Sequence, residues 1–438
     1  MTIFSSSFAL GLTLLAIFLL HATCLQDEYS RIGKDREALE IIIGGGGGSS
    51  SSPPPPEYQD PPPCSPPPPA FASKRIELVY PVIQKFKQKV KYDPHGITKT
   101  WVGPDICNKY KGFFCDTLLD FNETALAGVN FNGFKFGGAA LSLDGFVDQL
   151  PDITVFHANS NGFSGAFPSK ISQIKYLYEL DLSNNKYTCG FPYEVLVSNK
   201  LTFLDLRFNS FSGLVPPQLF TQDVDVLFIN NNNFMQKIPD NLGSSPALYL
   251  TLANNNFNGP IPKSLGQAGK TLKEILLLNN SLSGCLPCEI GLLNRATVFD
   301  ASHNLLTGPI PQSFACLGRM EILNLGNNQL YGPVPEPVCK LPNLENLTLS
   351  YNYLTKIGPE CWKLVKKNKV DVRMNCIPGW PGQRSAAECE AFLSMGKSCS
   401  DERSLNWVPC SPRSPSRRKT LDSTLELRRS YDALNPHK

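Results

Sequence analysis

The residues that most readily suggest chemistry are a Cys-x-x-Cys pair, Cys285 and Cys288, and five scattered histidines. Such a pair is typical of redox centres and of half a zinc site, but a zinc site needs two further Cys or His ligands. The sequence has no second Cys-x-x-Cys and no paired histidines, and the five-glycine run at 44–48 is followed by serines and prolines rather than a helix. We therefore expect no enzyme, no metal and no other cofactor, and we interpret Cys285 and Cys288 as disulfide-forming residues.

A second set of candidates consists of side chains at alternating positions of short segments with the pattern x-Leu-x-Leu-x-x-Asn. Alternate residues of a strand face opposite ways, so the x positions are expected to point into solvent. Exposed aromatic rings flanked by charge are typical of interfaces, and carboxylates favour a cationic partner. The predicted peptide-binding residues are Glu179, Asp181, Phe203, Asp205, Arg207, Phe208, Phe228, Asn230, Tyr249, Glu274, Leu276, Asp300 and His303.

The apolar members of this set are expected to form one track across four neighbouring repeats. The alternative is that they are ordinary, scattered apolar surface residues. Arg207 is the basic member, and it is expected to pair with Asp181 or Asp205, or to meet an acidic group of the partner. The four residues of the expected track are Phe203, Phe228, Tyr249 and Leu276.

The segments that carry these residues recur every 23 to 25 residues, as the positions of their asparagines show. A leucine-rich repeat has a period of 20–29 residues, so the chain is predicted to be a leucine-rich-repeat solenoid of about ten repeats with short parallel strands on its concave wall. Each asparagine is expected to bond backbone groups inside the coil. Gly-x-Ile-Pro tails such as 259–262 are typical of the plant extracellular subtype, with short turns on the convex side. The asparagines are Asn161, Asn185, Asn209, Asn232, Asn255, Asn280, Asn304, Asn328 and Asn352.

The 438-residue chain carries 41 basic and 38 acidic residues, a net charge of +3 that gives no reason to expect nucleic acid or a membrane surface as partner. An apolar run at 8–20 precedes small residues and is too short to span a bilayer, so a secreted product without a membrane span is expected. The predicted organisation is a signal peptide (1–24), a disordered Gly/Ser/Pro-rich segment (25–71), an N-terminal helical and disulfide-closed cap (72–125), the repeats (126–358), a Cys-rich C-terminal cap (359–410) and a disordered basic tail (411–438).

Thirteen of the fourteen cysteines remain if the chain is cleaved after Cys24, and Cys64, in a proline run, is the odd one by context. Connectivity does not follow from sequence alone. The expected pairs are Cys107–Cys115, Cys339–Cys361 and Cys376–Cys389, while Cys399 and Cys410 are expected to pair with each other or to cross between protomers.

Three Asn-x-Ser/Thr sequons predict glycosylation at Asn122, Asn279 and Asn346. A glycan on Asn279 would restrict access to part of the concave wall.

Several stretches resemble the leucine-rich repeat extensins of plants, over about residues 75–410. The stretches are 97–107, 205–209, 227–234, 375–379 and 383–385. Two Ser-Pro-Pro-Pro-Pro units, Ser52–Pro56 and Ser65–Pro69, are also similar to extensin, a wall glycoprotein. They serve either as a spacer or as substrates for proline hydroxylation and arabinosylation.

The resemblance implies a secreted protein of the cell wall, or apoplast, whose repeats bind rapid alkalinisation factor peptides, which are small, cationic and disulfide-bonded. It also implies a link between wall state, growth signalling and malectin-like receptor kinases, and a homodimer. The long C-terminal extensin domain of the family is expected to be absent, which argues against a covalent anchor in the wall.

Two other functions stay open at this point. One is inhibition of microbial wall-degrading enzymes, as in polygalacturonase inhibitors, which have a similar number of plant-type repeats and an acidic concave face. The other is a structural wall glycoprotein held by its proline segment. The Ser-Pro-Pro-Pro-Pro units and the stretch 97–107 favour the extensin relatives. For the basic tail, an arm that binds acidic pectin is the alternative to disorder.

Overall fold

The computed structural model describes residues 71–197, 200–396, 398–399, 405–410 and 431–436. The predicted signal peptide, Cys64 and the rest of the Gly/Ser/Pro segment up to residue 70 lie outside the described residues. Within the described part of the chain, no helix combines the length and the apolar character that crossing a membrane requires.

Two short strands recur in most repeats, one on the concave wall and one further along the coil. In chain order the strands are β1 (Phe113–Leu118), β2 (Glu123–Asn130), β3 (Val155–His157), β4 (Ser164–Gly165), β5 (Glu179–Asp181), β6 (Lys186–Tyr187), β7 (Phe203–Asp205), β8 (Ser212–Gly213), β9 (Val226–Phe228), β10 (Asn233–Phe234), β11 (Tyr249–Thr251), β12 (Asn258–Gly259), β13 (Glu274–Leu276), β14 (Ser281–Cys285), β15 (Val298–Asp300), β16 (Leu305–Gly308), β17 (Ile322–Asn324), β18 (Gln329–Pro333), β19 (Asn346–Thr348), β20 (Tyr353–Lys356) and β21 (Val370–Asp371).

Twelve of these strands form the concave sheet, in the order β1-β2-β3-β5-β7-β9-β11-β13-β15-β17-β19-β21. The β1–β2 pair is antiparallel, and each later pair is parallel and joins consecutive repeats. This arrangement confirms the predicted leucine-rich-repeat solenoid. The sheet continues to β21, so the parallel array extends past the boundary expected at residue 358.

Short 3-10 helices cover the opposite side of the coil, where the Gly-x-Ile-Pro tails predict turns. In several repeats the 3-10 helix begins directly after a proline. Proline suits this position because its φ is fixed and it has no backbone N–H to leave without an acceptor. The 3-10 helices on this side are Val147–Gln149, Ser169–Gln173, Tyr193–Val197, Pro217–Thr221, Leu242–Ser244, Lys263–Lys270, Cys288–Leu292, Gln312–Cys316 and Glu336–Lys340. Two others lie elsewhere: Ile97–Thr100 belongs to the N-terminal cap, and Asp432–Leu434 lies over the concave sheet.

The core is one continuous column of apolar side chains inside the coil. In the repeat around β11, Leu250 and Leu252 point inward and are buried, and Phe257 fills the turn that follows. Full burial of a side chain of this size contributes about 1.5–3 kcal/mol. Stacking the repeats therefore supplies the apolar burial that one repeat alone lacks.

A ladder of buried asparagines holds the backbone at each turn. Asn255 donates its amide to the carbonyls of Leu252, Ala253 and, in the preceding repeat, Ile229, at 3.0–3.2 Å. Its Oδ1 accepts the N–H of Phe234 at 3.1 Å. The eight other predicted asparagines make the same bonds. Asn375 continues the ladder beyond the predicted repeats.

The N-terminal cap closes the first repeat with helix α1 (Lys74–Lys89). Its N-terminus is capped by Ser73, whose hydroxyl accepts the N–H of Ile76. On its inner face, the Phe86 ring stacks on Phe146 at 3.9 Å and faces the buried Trp101 at 6.3 Å. Helix α2 (Ile106–Lys109) joins β1 through the disulfide Cys107–Cys115.

The C-terminal cap contains helices α3 (Pro359–Val365) and α4 (Ala386–Leu393). The three expected pairs, Cys107–Cys115, Cys339–Cys361 and Cys376–Cys389, are confirmed. The expectation for the last two cysteines is wrong, because the chain after α4 folds back over earlier repeats. The observed bonds there are Cys285–Cys399 and Cys316–Cys410.

The two cysteines of the Cys-x-x-Cys pair do not bond to each other. Cys285 forms a disulfide, as interpreted, whereas the buried Cys288 thiol lies 3.4 Å from the carboxylate of Glu289. Cys189 is also disulfide-bonded.

Replacing one asparagine of the ladder is expected to destabilise the fold strongly. Asn255→Ala leaves buried carbonyls without donors, which costs about 1–3 kcal/mol for each unsatisfied group. We expect a clear drop in the midpoint of denaturant unfolding, whereas Asn256→Ala, at the exposed neighbouring position, should leave it within error. Equal midpoints for the two variants would contradict the role of the ladder.

Candidate functional site

The outward side chains of the concave strands form two parallel rows that the sheet register aligns. The first row is Val155, Glu179, Phe203, Val226, Tyr249, Glu274, Val298, Ile322 and Asn346. The second row is His157, Asp181, Asp205, Phe228, Thr251, Leu276, Asp300, Asn324 and Thr348.

The four residues of the expected apolar track lie on four neighbouring strands of one face, but they are divided between the two rows. Phe203 and Tyr249 lie in the first row with Val226 between them, whereas Phe228 and Leu276 lie in the second row. Neighbouring strands are about 4.8 Å apart. Phe203 and Tyr249 are two strands apart, which separates the two rings by roughly 10 Å. The rings therefore form a staggered surface rather than one line.

The N-terminal half of the wall presents an aromatic–acidic patch, which we define as Glu179, Phe203, Phe228 and Tyr249. All four side chains are half-buried, with one face toward solvent. Cations lie beside two of the rings: the Arg207 guanidinium is 5.2 Å from the centre of the Phe228 ring, and Lys273 Nζ is 5.8 Å from that of Tyr249. Such cation–π contacts attract each cation to the face of its ring.

The carboxylates of the second row are less available than the sequence suggests. Asp181, Asp205 and Asp300 are at most 5% exposed. In each case one oxygen accepts the backbone N–H two residues further on, at 2.9–3.1 Å. These aspartates hold the turn after their own strand, so the expectation that they face solvent is wrong.

Arg207 pairs with Asp205, one of the two partners that the sequence suggests. The Arg207 Nε lies 3.0 Å from Oδ2 of Asp205, and both side chains are buried. Burial, together with the charge of Asp181, raises the pKa of Asp205 well above its usual range, against the opposing effect of Arg207. This pair therefore contributes little negative charge to the wall.

Glu179 is the carboxylate that the patch offers to solvent. Its Oε2 lies 2.8 Å from Nε2 of His157, and this hydrogen bond lowers the pKa of Glu179 despite partial burial. The His157 ring also lies 6.1 Å from the Phe203 ring. Glu179 is accordingly held ionised beside an aromatic ring.

Phe208 and His303 lie at the rim of the wall, directly before an asparagine of the ladder. Both have left-handed backbone, with φ of +52° and +53°. Phe208 is half-buried and His303 is exposed, with its Nε2 3.4 Å from Nδ2 of Asn327. Neither residue belongs to the two rows.

The middle of the wall, from the repeat of β9 to that of β15, is covered by the chain itself. Residues Tyr431–Pro436 lie across the strands, with the Tyr431 hydroxyl 2.7 Å from Oδ2 of Asp300. The Asn230 amide donates to the carbonyl of Ala433 at 2.8 Å, and Leu434 packs on Leu276. Asn230, Glu274, Leu276 and Asp300 are therefore buried rather than exposed, and the expectation of a disordered tail is wrong for these six residues.

Sequence reasoning missed this segment because the tail around it is polar and basic. The one signal is local: Tyr431 and Leu434, three residues apart, are apolar side chains that one helical turn places on the same side.

Comparisons with known proteins agree with the repeat pattern. A Leucine Rich Repeat family model matches residues 200–221 and 343–364. The chain is 42% identical to leucine-rich repeat extensin-like protein 6 of Arabidopsis thaliana over 328 residues, which cover 74% of this chain and 68% of that protein. It is 43% identical to leucine-rich repeat extensin-like protein 7 of the same plant, over 75% of each chain.

The chain belongs to the leucine-rich repeat extensin-like family. It spans a smaller share of some members: 44% of leucine-rich repeat extensin-like protein 1 of Arabidopsis thaliana, at 42% identity. Among solved structures, a plant ice-binding protein shares the fold, with a TM-score of 0.57 and 24% identity over 71% of this chain and 98% of that one.

The three predicted glycosylation sites of this leucine-rich repeat extensin-like protein are exposed. Asn279 stands on the rim, one residue before Asn280 of the ladder, and its amide donates to Asn254 Oδ1 at 2.8 Å. Asn346 belongs to the first row on β19, and Asn122 lies in the loop between β1 and β2. Glycosylation at these positions stays a prediction.

His157→Ala is expected to raise the pKa of Glu179 toward its ordinary value of 4.5. Because the pKa of Glu179 is lowered in the folded state, the pair stabilises the fold at any pH above the ordinary pKa of a glutamate. That contribution is lost as the pH falls through the lowered value. An NMR titration of the Glu179 carboxyl measures the shift. His303→Ala, at the rim five concave strands further along, should leave it unchanged; a shift with both variants would refute the pairing.

Proposed function

We propose that this leucine-rich repeat extensin-like protein is an extracellular binding protein of the plant cell wall, and that its concave wall takes a small cationic secreted peptide. The observation that carries the proposal is the aromatic–acidic patch, where half-buried rings stand beside an ionised glutamate. Aromatic side chains dominate binding energy at interfaces, and opposite charge accelerates encounter.

The geometry of the patch fits a peptide better than a small molecule. The patch spans four neighbouring concave strands, β5, β7, β9 and β11, and its four side chains are half-buried rather than enclosed. A peptide can contact several strands at once and place apolar residues between the staggered rings. A basic residue of the peptide can then reach Glu179.

Family membership supports a finer proposal on the ligand. The rapid alkalinisation factor peptides have the size and positive charge that the patch favours, and malectin-like receptor kinases are the proposed route from the wall to growth signalling. A homodimer and contact with pectin belong to the same proposal. The disulfides among the described residues fit an oxidising extracellular compartment, which is the localisation that we propose.

The test is calorimetry of the purified, oxidised protein with a panel of folded rapid alkalinisation factor peptides. We expect binding that weakens with added salt, because the Debye length shortens. Phe203→Ala combined with Phe228→Ala should reduce affinity by at least about 30-fold, since the loss of even one interface hot spot costs about 2 kcal/mol.

The matched control is Tyr193→Ala, which removes an exposed ring from a 3-10 helix on the convex side. Affinity should stay within twofold of the native protein. Native affinity in the Phe203/Phe228 double variant would reject the patch as the binding site. If no peptide of the panel binds, the inhibitor of wall-degrading enzymes and the structural glycoprotein become the favoured functions.

A further inference from the structure

We propose that residues Tyr431–Pro436 are a tethered ligand of the middle of the concave wall, from the repeat of β9 to that of β15. An external ligand of this stretch is then a peptide that presents a tyrosine and, three residues later, an aliphatic side chain on one helical turn. This inference rests on the proposed function, in that it takes the concave wall to be a peptide-binding surface. It adds the sequence features that this stretch of the wall recognises and the competitor that an external peptide displaces.

The tyrosine is recognised through its hydroxyl. Asp300 uses Oδ1 to accept from the N–H and hydroxyl of Ser302, which leaves Oδ2 facing the groove. There Oδ2 accepts the Tyr431 hydroxyl at 2.7 Å and the Asn324 amide at 2.9 Å. Burial and the Asp300 carboxylate raise the pKa of Tyr431. The phenol therefore keeps its proton and remains a hydrogen-bond donor at neutral and acidic pH. A phenylalanine lacks this bond.

The aliphatic side chain is recognised by an apolar floor. Ala253, Leu276 and Val298, all at most 3% exposed, form a cluster separate from the main core, and Leu434 packs on it. The N–H of Leu434 donates to the carbonyl of Tyr431 at 2.9 Å, which closes one 3-10 turn. In such a turn residues i and i+3 lie on one side, so the tyrosine and the leucine reach the wall together.

The backbone between Tyr431 and Leu434 is bound by the side chain of Asn230. This fully buried side chain donates to the Ala433 carbonyl, and its Oδ1 has no hydrogen-bond donor among the described residues. A buried acceptor without a donor costs free energy. An external peptide that supplies an N–H to this oxygen gains a bond that the tethered segment does not make, which gives the external peptide an advantage over the segment.

The tether gives the segment its own advantage. Cys410 is bonded to Cys316 on the repeats, and Tyr431 follows 21 residues later (431 − 410), a contour of about 70 Å at full extension. Because the segment is part of the same chain, its binding is intramolecular and is governed by an effective concentration rather than by the bulk one. An external peptide therefore binds with an affinity reduced by the fraction of chains in which the wall is open.

The experiment uses a fluorescein-labelled synthetic peptide of residues 428–438 and fluorescence polarisation with the whole oxidised protein. The opened variant is Tyr431→Ala with Leu434→Ala, which leaves the repeats intact. We expect the probe to bind the opened variant about tenfold more tightly than the native chain, as follows if nine chains in ten are closed. The matched control is Asn435→Ala, an exposed position of the same segment, which should behave as the native chain.

A double-mutant cycle assigns the tyrosine contact. Within the opened variant, Asp300→Asn should weaken probe binding about fivefold. A probe with phenylalanine in place of tyrosine should show the same loss, and the two changes together should lose no more than one. Additive losses would show that the tyrosine hydroxyl of the probe does not interact with Asp300.

The outcomes are distinct from those of the peptide panel. Equal probe affinity for native and opened chains, or no binding to either, overturns the tethered ligand while leaving the aromatic–acidic patch untouched. Tight binding of the probe to the opened variant alone supports the tethered ligand, even if no alkalinisation peptide binds.

Discussion

The structure depends on one constraint, namely that the backbone of a curved coil must be hydrogen-bonded where no helix or sheet can do it. One asparagine per repeat meets this constraint, because its amide reaches three carbonyls and its oxygen accepts from the adjacent repeat. The bonds cross from repeat to repeat, so the ladder also sets the register of the concave strands. The position of each wall side chain follows from that register.

The need to hydrogen-bond the backbone also decides which polar side chains of the concave wall can contact a ligand. A polar residue in the second row that can accept from the next turn is used there, as Asp205 and Asp300 are. First-row residues have no such task, and Glu179 and Phe203 remain open to a ligand. An acidic residue on a concave strand is therefore not by itself a sign of an acidic surface.

The fold and half of the site could be predicted from sequence because they rest on local rules. The period and the ladder asparagines define the solenoid, and strand alternation places Phe203 and Phe228 outward. The contacts that could not be predicted are long-range: Tyr431 bonds a carboxylate 131 residues earlier, and Cys399 bonds a cysteine 114 residues earlier. Nothing in the spacing of these residues shows that the chain returns over its own repeats.

The two return disulfides also decide how the molecule carries mechanical load. A pull on the chain beyond Cys410 reaches the repeats at Cys316 through one disulfide and, by way of Cys399, at Cys285 through the other. The repeats after Cys316 and most of the C-terminal cap lie outside both paths and bear none of that tension. Under such a load the C-terminal repeats would keep their shape while the force passes through the repeats that precede Cys316.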